Sequence, residues 1–341
     1  MSDGLRVAAI VPCFNEEAAV GTVVRDLQRA VPGIEVFVYD NNSTDRTAAV
    51  ATEAGAVVRF EKRRGKGNVV RRAFADIDAD IYLLIDGDDT YDAAAAPQMI
   101  AALREGPLDH VLGVRKQTSS EGAYRPGHET GNRAFNRLVG FLFGEPVTDM
   151  LSGYRVFSRR FVKSFPALSR EFEIETELTV HTVRLRVPQT EVEVAFKDRP
   201  EGSVSKLRTY HDGFRILRLI ALLVQHERPI VFYGLVSGLF ALLGLVLGVP
   251  VVVEFWRTHL VERLPTAVLA SSLMIVAILS FVVGLVLNGV LRVREEAARL
   301  EYLRWAPVEL PERVQQDAVR GPEVRFAPGL LGAAKVPAAK A

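Results

Sequence analysis

Two long segments without any charged residue constrain this chain more than any other feature. Residues 229–253 and 264–291 contain no Asp, Glu, Lys or Arg. An α-helix rises about 1.5 Å per residue and the hydrocarbon core of a bilayer is about 30 Å thick, so each segment can cross a membrane as a helix. We therefore predict two transmembrane helices over these ranges. Neither is expected to be a cleaved signal peptide, because both lie far from the N-terminus.

Basic residues flank the two predicted spans on one side. They are Arg215, Arg218, Arg228, Arg292 and Arg294. The short loop between the spans carries acidic and basic residues in balance, so the positive-inside rule predicts that both termini and the N-terminal part are cytoplasmic. The formal net charge of +1 gives no overall attraction to nucleic acid, and the single cysteine, Cys13, excludes an internal disulfide.

Short apolar runs alternate with amphipathic stretches before the first span. Strand character is found at residues 6–11, 34–39, 56–60, 81–85 and 110–114. Helical spacing is found at residues 16–30, 44–54, 66–78 and 93–104. This alternation predicts an α/β domain with a mostly parallel sheet, over residues 1–204.

Two further segments complete the predicted domain organisation. Residues 205–228 have apolar side chains at helical spacing opposite basic ones, which predicts an amphipathic helix in the membrane interface. A helix packed on the globular domain explains the same periodicity. Residues 305–341 are rich in Pro, Ala and Gly after a charged helical stretch, and we predict that this tail is disordered.

An acidic cluster directly follows the very apolar fourth strand. Asp86, Gly87 and Asp88 come immediately after the run at residues 81–85. Two carboxylates at a strand end can share one hard cation and leave its other positions for diphosphate oxygens. We therefore predict Asp86 and Asp88 as metal ligands, with Gly87 keeping the approach open. Acidic turn residues are also common on solvated surfaces, so the prediction depends on the other strand-end clusters.

A second polar cluster follows the second predicted strand. Asp40 ends this strand, and Asn42, Ser43 and Thr44 come next. Ser43 or Thr44 is expected to cap the following helix. Capping gives Asp40 no role, so we predict that Asp40 and Asn42 contact a nucleotide.

Further nucleotide-binding candidates lie after the first and third strands. Pro12, Asn15 and Glu17 lie in a rigid polar loop against which a flat base could rest. Lys66 brings positive charge to the start of a helix, which suits an anionic ligand. We predict that these four residues bind the nucleotide together with Asp86 and Gly87.

Four motifs together resemble family 2 glycosyltransferases with the GT-A fold. They are Val-Pro-Cys-Phe-Asn-Glu at 11–16, Asp-Asn-Asn-Ser-Thr-Asp at 40–45, Gly-Lys-Gly at 65–67 and Asp-Gly-Asp-Asp at 86–89. With two C-terminal spans, the chain is most similar to the polyprenyl phosphate branch, relatives of dolichol phosphate mannose synthase and undecaprenyl phosphate glucosyltransferases. The resemblance implies a nucleotide-sugar donor, Mg²⁺ or Mn²⁺, and a polyprenyl phosphate acceptor at the membrane.

The resemblance also implies residues on the acceptor side. Asp149 begins a segment, residues 149–155, that resembles the acceptor-side loop of the family, which implies that Asp149 lies near the reacting carbon. Asp86, Asp88 and Asp149 are then the expected catalytic residues. The residues expected to hold the acceptor phosphate are Arg115, Asn132, Arg133, Arg199, Ser205 and Lys206. Contact with lipid headgroups is an alternative role for the last three.

Three glutamates in one short segment leave two interpretations open. Glu173 and Glu177 share a helical face, whereas Glu175 points elsewhere. Glu175 could face the site, or all three could stabilise the N-terminus of a helix.

The expected reaction is attack of the lipid phosphate on the anomeric carbon, with inversion by analogy to the family. A phosphate needs no general base, because its second ionisation lies near pH 6. One alternative is a transferase with a hydroxyl acceptor, which requires a carboxylate base, and another is a non-catalytic nucleotide-sugar-binding membrane module. UDP is favoured over GDP in the donor, and the spans could form a homo-oligomer.

Overall fold

The structure is a computed structural model that describes residues 4–117, 148–169, 173–197, 225 and 228–308. Seven strands form one sheet in the order β3-β2-β1-β4-β6-β5-β7. The strands are β1 (Val7–Cys13), β2 (Glu35–Asp40), β3 (Val57–Phe60), β4 (Ile81–Leu84), β5 (His110–Gln117), β6 (Arg155–Ser158) and β7 (Gln189–Phe196). Neighbouring strands pair in parallel except at β6, which is antiparallel to β4 and β5. The predicted α/β fold with a mostly parallel sheet is confirmed.

In the described part of the chain, six helices accompany the sheet, and two long helices follow. They are α1 (Val20–Ala30), α2 (Thr47–Glu53), α3 (Lys66–Asp76), α4 (Ala96–Glu105), α5 (Arg159–Ser164), α6 (Glu173–Leu185), α7 (Pro229–Thr258) and α8 (Leu264–Leu303). A single 3-10 turn, Ala93–Ala95, precedes α4.

Helices cover both faces of the sheet, and the sequence of β1 is apolar throughout for this reason. Ala9 and Val11 lie in one buried cluster with side chains of α1 and α4, whereas Ala8 and Ile10 lie in a second cluster with side chains of α3, α5 and α6. A strand buried on both faces carries apolar residues at every position. The polar loops are therefore confined to the strand ends.

Two helices begin later than predicted, because their first residues tie neighbouring loops together. The first predicted helix starts at Val20 instead of residue 16, because Glu16 N donates to Thr47 Oγ1 at 2.9 Å and Glu17 N donates to Asp45 Oδ2 at 3.2 Å. The second starts at Thr47 instead of residue 44. The prediction that Ser43 or Thr44 caps it is wrong: the Asp45 carboxylate accepts a hydrogen bond from Thr47 N at 3.0 Å.

Helices α7 and α8 are long and apolar enough to cross a membrane, judged by length and composition. They contain 30 and 40 residues and include the two segments predicted as spans. In their most apolar stretches only 6% and 11% of the residues are buried, whereas the core helix of a soluble domain is mostly buried. The assignment of residues 205–228 to an interfacial helix and of 305–341 to a disordered tail lies almost entirely outside the described residues and stays a prediction.

The C-terminal end of α8 packs against the α/β domain. Tyr302 is 5% exposed and belongs to the buried cluster that also contains residues of α3, α5 and α6. Its hydroxyl donates to Asp109 Oδ2 at 2.6 Å, and the Arg160 guanidinium lies 4.7 Å from its ring centroid. Glu295 of the same helix pairs with Arg184 at 2.6 Å. One continuous helix therefore joins the second apolar segment to the α/β domain.

We expect the Tyr302→Phe variant to be less stable than wild type by about 1–3 kcal/mol, because a buried carboxylate loses one of its donors. Asp109 is fully buried, so water does not replace the lost hydroxyl. The midpoint of thermal unfolding in detergent measures the effect. Arg304→Ala is the matched control, since that side chain is 75% exposed and pairs only with nearby Glu301. Equal midpoints for Tyr302→Phe and wild type would show that this contact does not stabilise the protein.

Candidate functional site

The ends of β1, β2 and β4 bring the predicted donor residues to one edge of the sheet. Cys13, the last residue of β1, is in register with Asp40, the last residue of β2. A Cβ atom added to Gly87 would collide with Cys13 Sγ, so the loop after β4 passes directly over this cysteine. Burial raises the pKa of the Cys13 thiol, and the nearby charges of Glu16, Asp40, Asp86 and Asp88 raise it further. Asp40 and the acidic pair, Asp86 and Asp88, therefore lie close together around Cys13.

One carboxylate oxygen of Asp40 accepts a hydrogen bond, and the other has no partner in the described part of the chain. Its side chain is 4% exposed, and Oδ1 accepts a hydrogen bond from Ser43 N at 3.0 Å. Oδ2 is buried and has no hydrogen-bond partner among the described residues. A buried acceptor without a partner is costly, so this oxygen is suited to a donor group on a ligand.

Three other predicted nucleotide-binding residues hold loops in place. Asn15 Oδ1 accepts from Thr44 N at 2.8 Å, and Glu17 Oε2 accepts from Arg46 N at 2.8 Å. Asn42 donates to the carbonyls of Glu61 and Lys62 at 3.3 and 2.9 Å. These bonds position the loop that contains Asp40. Pro12 lies within β1, opposite Tyr39.

Lys66 lies between two carboxylates from distant parts of the chain. Its Nζ forms an ion pair with Asp86 Oδ1 and another with Glu175 Oε1, the latter at 2.5 Å. The side chains of Lys66 and Glu175 are 8% and 6% exposed, whereas Asp86 is 30% exposed. Lys66 begins α3 and Glu175 lies in the first turn of α6, so the two helix N-termini meet beside the acidic loop.

The pKa shifts of this pair follow from burial and from the ion pairs. Burial on its own would lower the pKa of Lys66, but Asp86 and Glu175 together raise it well above its ordinary value. Burial raises the pKa of Glu175, and the neighbouring ammonium of Lys66 opposes that shift. Lys66 is therefore a cation at neutral pH, held against Asp86.

Two glycines allow close contacts at the acidic loop, and one of them, Gly153, leaves room for the Asp86 carboxylate. A Cβ atom at Gly87 would meet Cys13, and one at Gly153 would meet Asp86 Oδ2. Gly153 N donates to the Tyr91 hydroxyl at 2.9 Å, which fixes the glycine against the carboxylate. Burial, with the nearby Asp86 charge, raises the pKa of Tyr91 to about 12. Tyr91 is therefore neutral at physiological pH.

The acidic pair has the chemistry to hold a divalent cation. Asp86 already binds a cationic group, the Lys66 ammonium, and carboxylate oxygens are the donors that Mg²⁺ and Mn²⁺ prefer. Asp88 is 6% exposed, and its Oδ1 accepts from Thr90 Oγ1 at 2.6 Å. No group of three or more His, Cys, Asp or Glu suited to a metal occurs among the described residues. Asp86 and Asp88 would therefore share a cation with oxygens of a bound diphosphate.

Asp149, four residues before Gly153, forms a bidentate ion pair with Arg115. Arg115 Nε donates to Asp149 Oδ2 at 2.7 Å, and Nη2 donates to Oδ1 at 2.6 Å. Asp149 is 5% exposed, whereas the Arg115 side chain is 27% exposed. The carboxylate therefore lies beneath the guanidinium and fixes its orientation. Arg115 in turn lies 5.5 Å from the ring centroid of Phe196.

The buried side chain of Arg155 supports residues 149–153, the loop between Asp149 and the glycine that packs on Asp86. Arg155 is fully buried, and it donates from Nε to Ser152 O at 2.9 Å and from Nη2 to Met150 O at 2.8 Å. Burial lowers the pKa of Arg155 to about 10, with Glu175 and Asp149 acting in the opposite direction. Residues 149–153 therefore have a fixed shape, with Asp149 on Arg115 at one end and Gly153 on Asp86 at the other.

Sequence reasoning missed Gly153, Tyr91 and Arg155 as positioning residues, and it left Glu175 undecided. Only the Gly-Tyr-Arg segment at 153–155 carried a signal for them, through the family resemblance. The contacts of Glu175 and Tyr91 join residues distant in sequence, which no local pattern reveals. The predicted acceptor residues Asn132, Arg133, Arg199, Ser205 and Lys206 lie outside the described residues.

We expect the Gly153→Ala variant to lose about a hundredfold in activity while remaining folded, because the added methyl group displaces the Asp86 carboxylate and a displacement of 1 Å can cost that much. Initial rates with the donor that serves the wild type measure this effect. Gly234→Ala is the matched control, since a Cβ atom there meets nothing within 4 Å. Wild-type activity in Gly153→Ala would mean that the Asp86 position is not critical.

Comparisons with known proteins show the family to which this chain belongs. Residues 8–165 match the domain described as glycosyl transferase family 2. Glycosyltransferase AglJ of Haloferax volcanii is 32% identical over 299 residues, which cover 87% of this chain and 98% of the relative. A dolichyl-phosphate hexose transferase of the same organism is 28% identical, over 65% of this chain and 95% of its own length.

A solved structure shows the same fold. Glucosyl-3-phosphoglycerate synthase from Mycobacterium tuberculosis, in complex with Mn²⁺, UDP-glucose and phosphoglyceric acid, superposes with a TM-score of 0.53 at 24% sequence identity. The match covers 65% of this chain and 79% of that protein. The N-terminal part therefore has the predicted GT-A fold, and with the domain match and the full-length similarity to AglJ, this chain belongs to glycosyl transferase family 2.

Proposed function

We propose that this protein is a membrane-anchored, metal-dependent, inverting glycosyltransferase that moves a sugar from a nucleotide diphosphate to a polyprenyl phosphate. UDP is the favoured nucleotide. The α/β domain and both termini lie on the cytoplasmic side, as the flanking arginines favour. The products are a polyprenyl phosphate sugar and the free nucleoside diphosphate.

One observation carries the proposal: the loop of residues 149–153 connects the Arg115–Asp149 ion pair, the acceptor clamp, to the acidic pair of Asp86 and Asp88. Its first residue, Asp149, orients Arg115, and its last residue, Gly153, packs against Asp86. A guanidinium binds a phosphate well because it offers paired donors in a plane. An acceptor phosphate on Arg115 and a donor diphosphate at Asp86 would therefore be held at opposite ends of one short rigid loop.

The donor side of the proposal rests on Asp40, Asp86, Asp88 and Lys66. Asp40 Oδ2 would accept a hydrogen bond from the nucleobase, because it is buried without a partner among the described residues. Lys66, at the start of α3 beside the acidic loop, would contact the diphosphate. A divalent cation held by Asp86 and Asp88 would neutralise the charge that develops on the leaving diphosphate.

Among the described residues, the carboxylates near the proposed reaction centre favour a phosphate acceptor over a hydroxyl acceptor. Asp149 is paired with Arg115, Glu175 with Lys66, and Asp88 accepts from Thr90. A hydroxyl acceptor requires a carboxylate free to take up its proton. A phosphate requires none, since most of it is already dianionic at neutral pH.

The two long helices support a lipid acceptor. Their apolar side chains are largely exposed, as expected of surfaces that face hydrocarbon. The relative from Haloferax volcanii that is 28% identical carries the name of a dolichyl-phosphate hexose transferase. An acceptor phosphate on a lipid would lie at the membrane surface, within reach of a domain attached through α8.

The experiment that tests the proposal uses the full chain in detergent or vesicles. It is incubated with polyprenyl phosphate, Mn²⁺ or Mg²⁺, and a panel of radiolabelled UDP- and GDP-sugars. We expect label from one donor to become lipid-soluble and to remain water-soluble when the cation is chelated.

The possible outcomes separate the alternatives. Release of nucleotide without lipid labelling would contradict the lipid acceptor and favour a hydroxyl acceptor. Absence of both with every donor would favour a non-catalytic nucleotide-sugar-binding module. Labelling that is insensitive to chelation would contradict the metal dependence alone.

A further inference from the structure

The buried Lys66–Glu175 pair lies beside the proposed metal site, yet neither the acidic pair nor the acceptor clamp requires Glu175. Glu175 is 4% exposed, comes from α6 and pairs with the same Lys66 ammonium as Asp86. Its Oε1 lies 2.5 Å from Lys66 Nζ, and its Oε2 has no hydrogen-bond partner among the described residues. Burying a carboxylate is costly, so its position calls for an explanation.

Lys66 holds the same carboxylate that the proposed metal would use. Its Nζ binds Asp86 Oδ1, so the ammonium and a divalent cation would compete for one oxygen. An ammonium displaced from Asp86 would remain buried, because the Lys66 side chain is 8% exposed. A buried ammonium without a counter-ion is strongly disfavoured. Glu175, which already pairs with Lys66, supplies that counter-ion.

Glu175 gives Lys66 a second carboxylate partner beside Asp86. Without Glu175, Lys66 would have Asp86 as its only carboxylate partner among the described residues.

We infer that Glu175 is a positioning residue that holds Lys66 when a divalent cation takes its place on Asp86. This inference rests on the proposed metal-dependent transfer. Glu175 sets how easily the cation binds by offering Lys66 a second partner. It does not contact the cation or the substrate. Glu173 and Glu177 do not share this role: Glu173 is exposed, and Glu177 accepts from Leu168 N and Ser169 N at 2.9 and 2.7 Å.

The test measures binding of Mn²⁺ to the full chain in detergent by the loss of the electron paramagnetic resonance signal of free Mn²⁺. Titrations are run with Mn²⁺ alone and with Mn²⁺ plus UDP. We expect the Kd for Mn²⁺ to rise about three- to tenfold in Glu175→Gln, within the range of coupling between contacting residues. Glutamine keeps the size of the side chain but removes the charge that attracts Lys66 away from Asp86. Glu173→Gln, which removes an exposed charge two residues away, should leave the Kd within about twofold of wild type.

The double variant Lys66→Met/Glu175→Gln shows whether the effect passes through Lys66. In the titration with Mn²⁺ alone we expect it to bind the cation at least as tightly as wild type, because the competing ammonium is gone. A double variant as weak as Glu175→Gln would overturn the inference, as would an unchanged Kd in Glu175→Gln. If Glu175→Gln fails to fold, the double variant alone decides, because it leaves neither Lys66 nor Glu175 as a buried charge without its partner. Binding weaker than wild type in the double variant would then overturn the inference.

Failure of the inference and failure of the proposed function give different results. If wild type binds no Mn²⁺ with or without UDP, the metal-dependent transfer and the role of Glu175 are both wrong. If wild type binds Mn²⁺ and Glu175→Gln binds it equally well, only the role of Glu175 is wrong.

Discussion

Asp88→Asn is expected to lower the rate of sugar transfer roughly a hundred- to a thousandfold, the range found when one group that stabilises transition-state charge is removed. The variant loses a negative charge at the proposed metal site. Asparagine keeps the shape of the side chain and an oxygen that can accept from Thr90 N and Thr90 Oγ1, as Asp88 Oδ1 does. The fold should therefore be unchanged. Initial rates of lipid labelling at saturating donor and Mn²⁺ give the measurement.

Asp89→Asn is the matched control for this variant. Asp89 is the next carboxylate along the same loop, and its contact is an ion pair with Lys197 at 3.8 Å. Its φ of 55° is one that asparagine adopts readily. We expect a rate within about threefold of wild type, as for a surface ion pair of small energy. A wild-type rate in Asp88→Asn would refute the metal assignment, whereas equal losses in both variants would indicate damage to the loop.

The strands that carry the donor residues could be predicted because their sequences are unambiguous. β4 is apolar at all four positions and buried at all four, and the polar loop begins directly after it. The same pattern of an apolar run followed by Asp located β2 and Asp40. Since parallel strands bring their carboxyl ends to one edge, the convergence of Asp40 and Asp86 followed from the order of strands and helices.

β6 could not be predicted, because its first residue contradicts the usual pattern of a buried strand. Arg155 is charged and fully buried, and its guanidinium donates to the carbonyls of Met150 and Ser152. A charged residue at the start of a four-residue strand predicts a loop, because charged residues are rarely fully buried. Only the folded loop shows that local carbonyls compensate for the burial of this side chain.

The partners of the site carboxylates were equally beyond sequence reasoning. The pattern Glu173-x-Glu175-x-Glu177 places alternate residues on different helical faces, but it does not identify the buried face. Glu175 is buried because α6 packs beside α3, where Lys66 lies. Arg115 and Asp149 were both predicted as site residues, yet their mutual ion pair was not. Local patterns give the chemistry of a residue, whereas its partner depends on tertiary packing.

Arg115→Ala is expected to raise the KM for polyprenyl phosphate about tenfold or more, since a charge-assisted pair contributes roughly 1.5–3 kcal/mol. The KM for the donor should change by less than about twofold, because Arg115 is held by Asp149, at the other end of the loop 149–153 from the glycine that packs on Asp86. Asp149 orients the Arg115 guanidinium, and the side chain is 27% exposed, so it can meet a ligand. Steady-state kinetics with each substrate varied in turn give the two KM values.

Lys116→Ala is the control that separates a specific clamp from general attraction to an anionic lipid. Lys116 is the next residue of β5, its side chain is 71% exposed, and it pairs with Glu193 at 2.6 Å. Both variants remove one positive charge from the same strand, but only Arg115 is held by a buried carboxylate. If both variants raised the lipid KM equally, the charge of β5 would attract the lipid without a defined site. If Arg115→Ala raised the donor KM instead, Arg115 would belong to the donor side, because loss of a contact weakens the substrate that makes it.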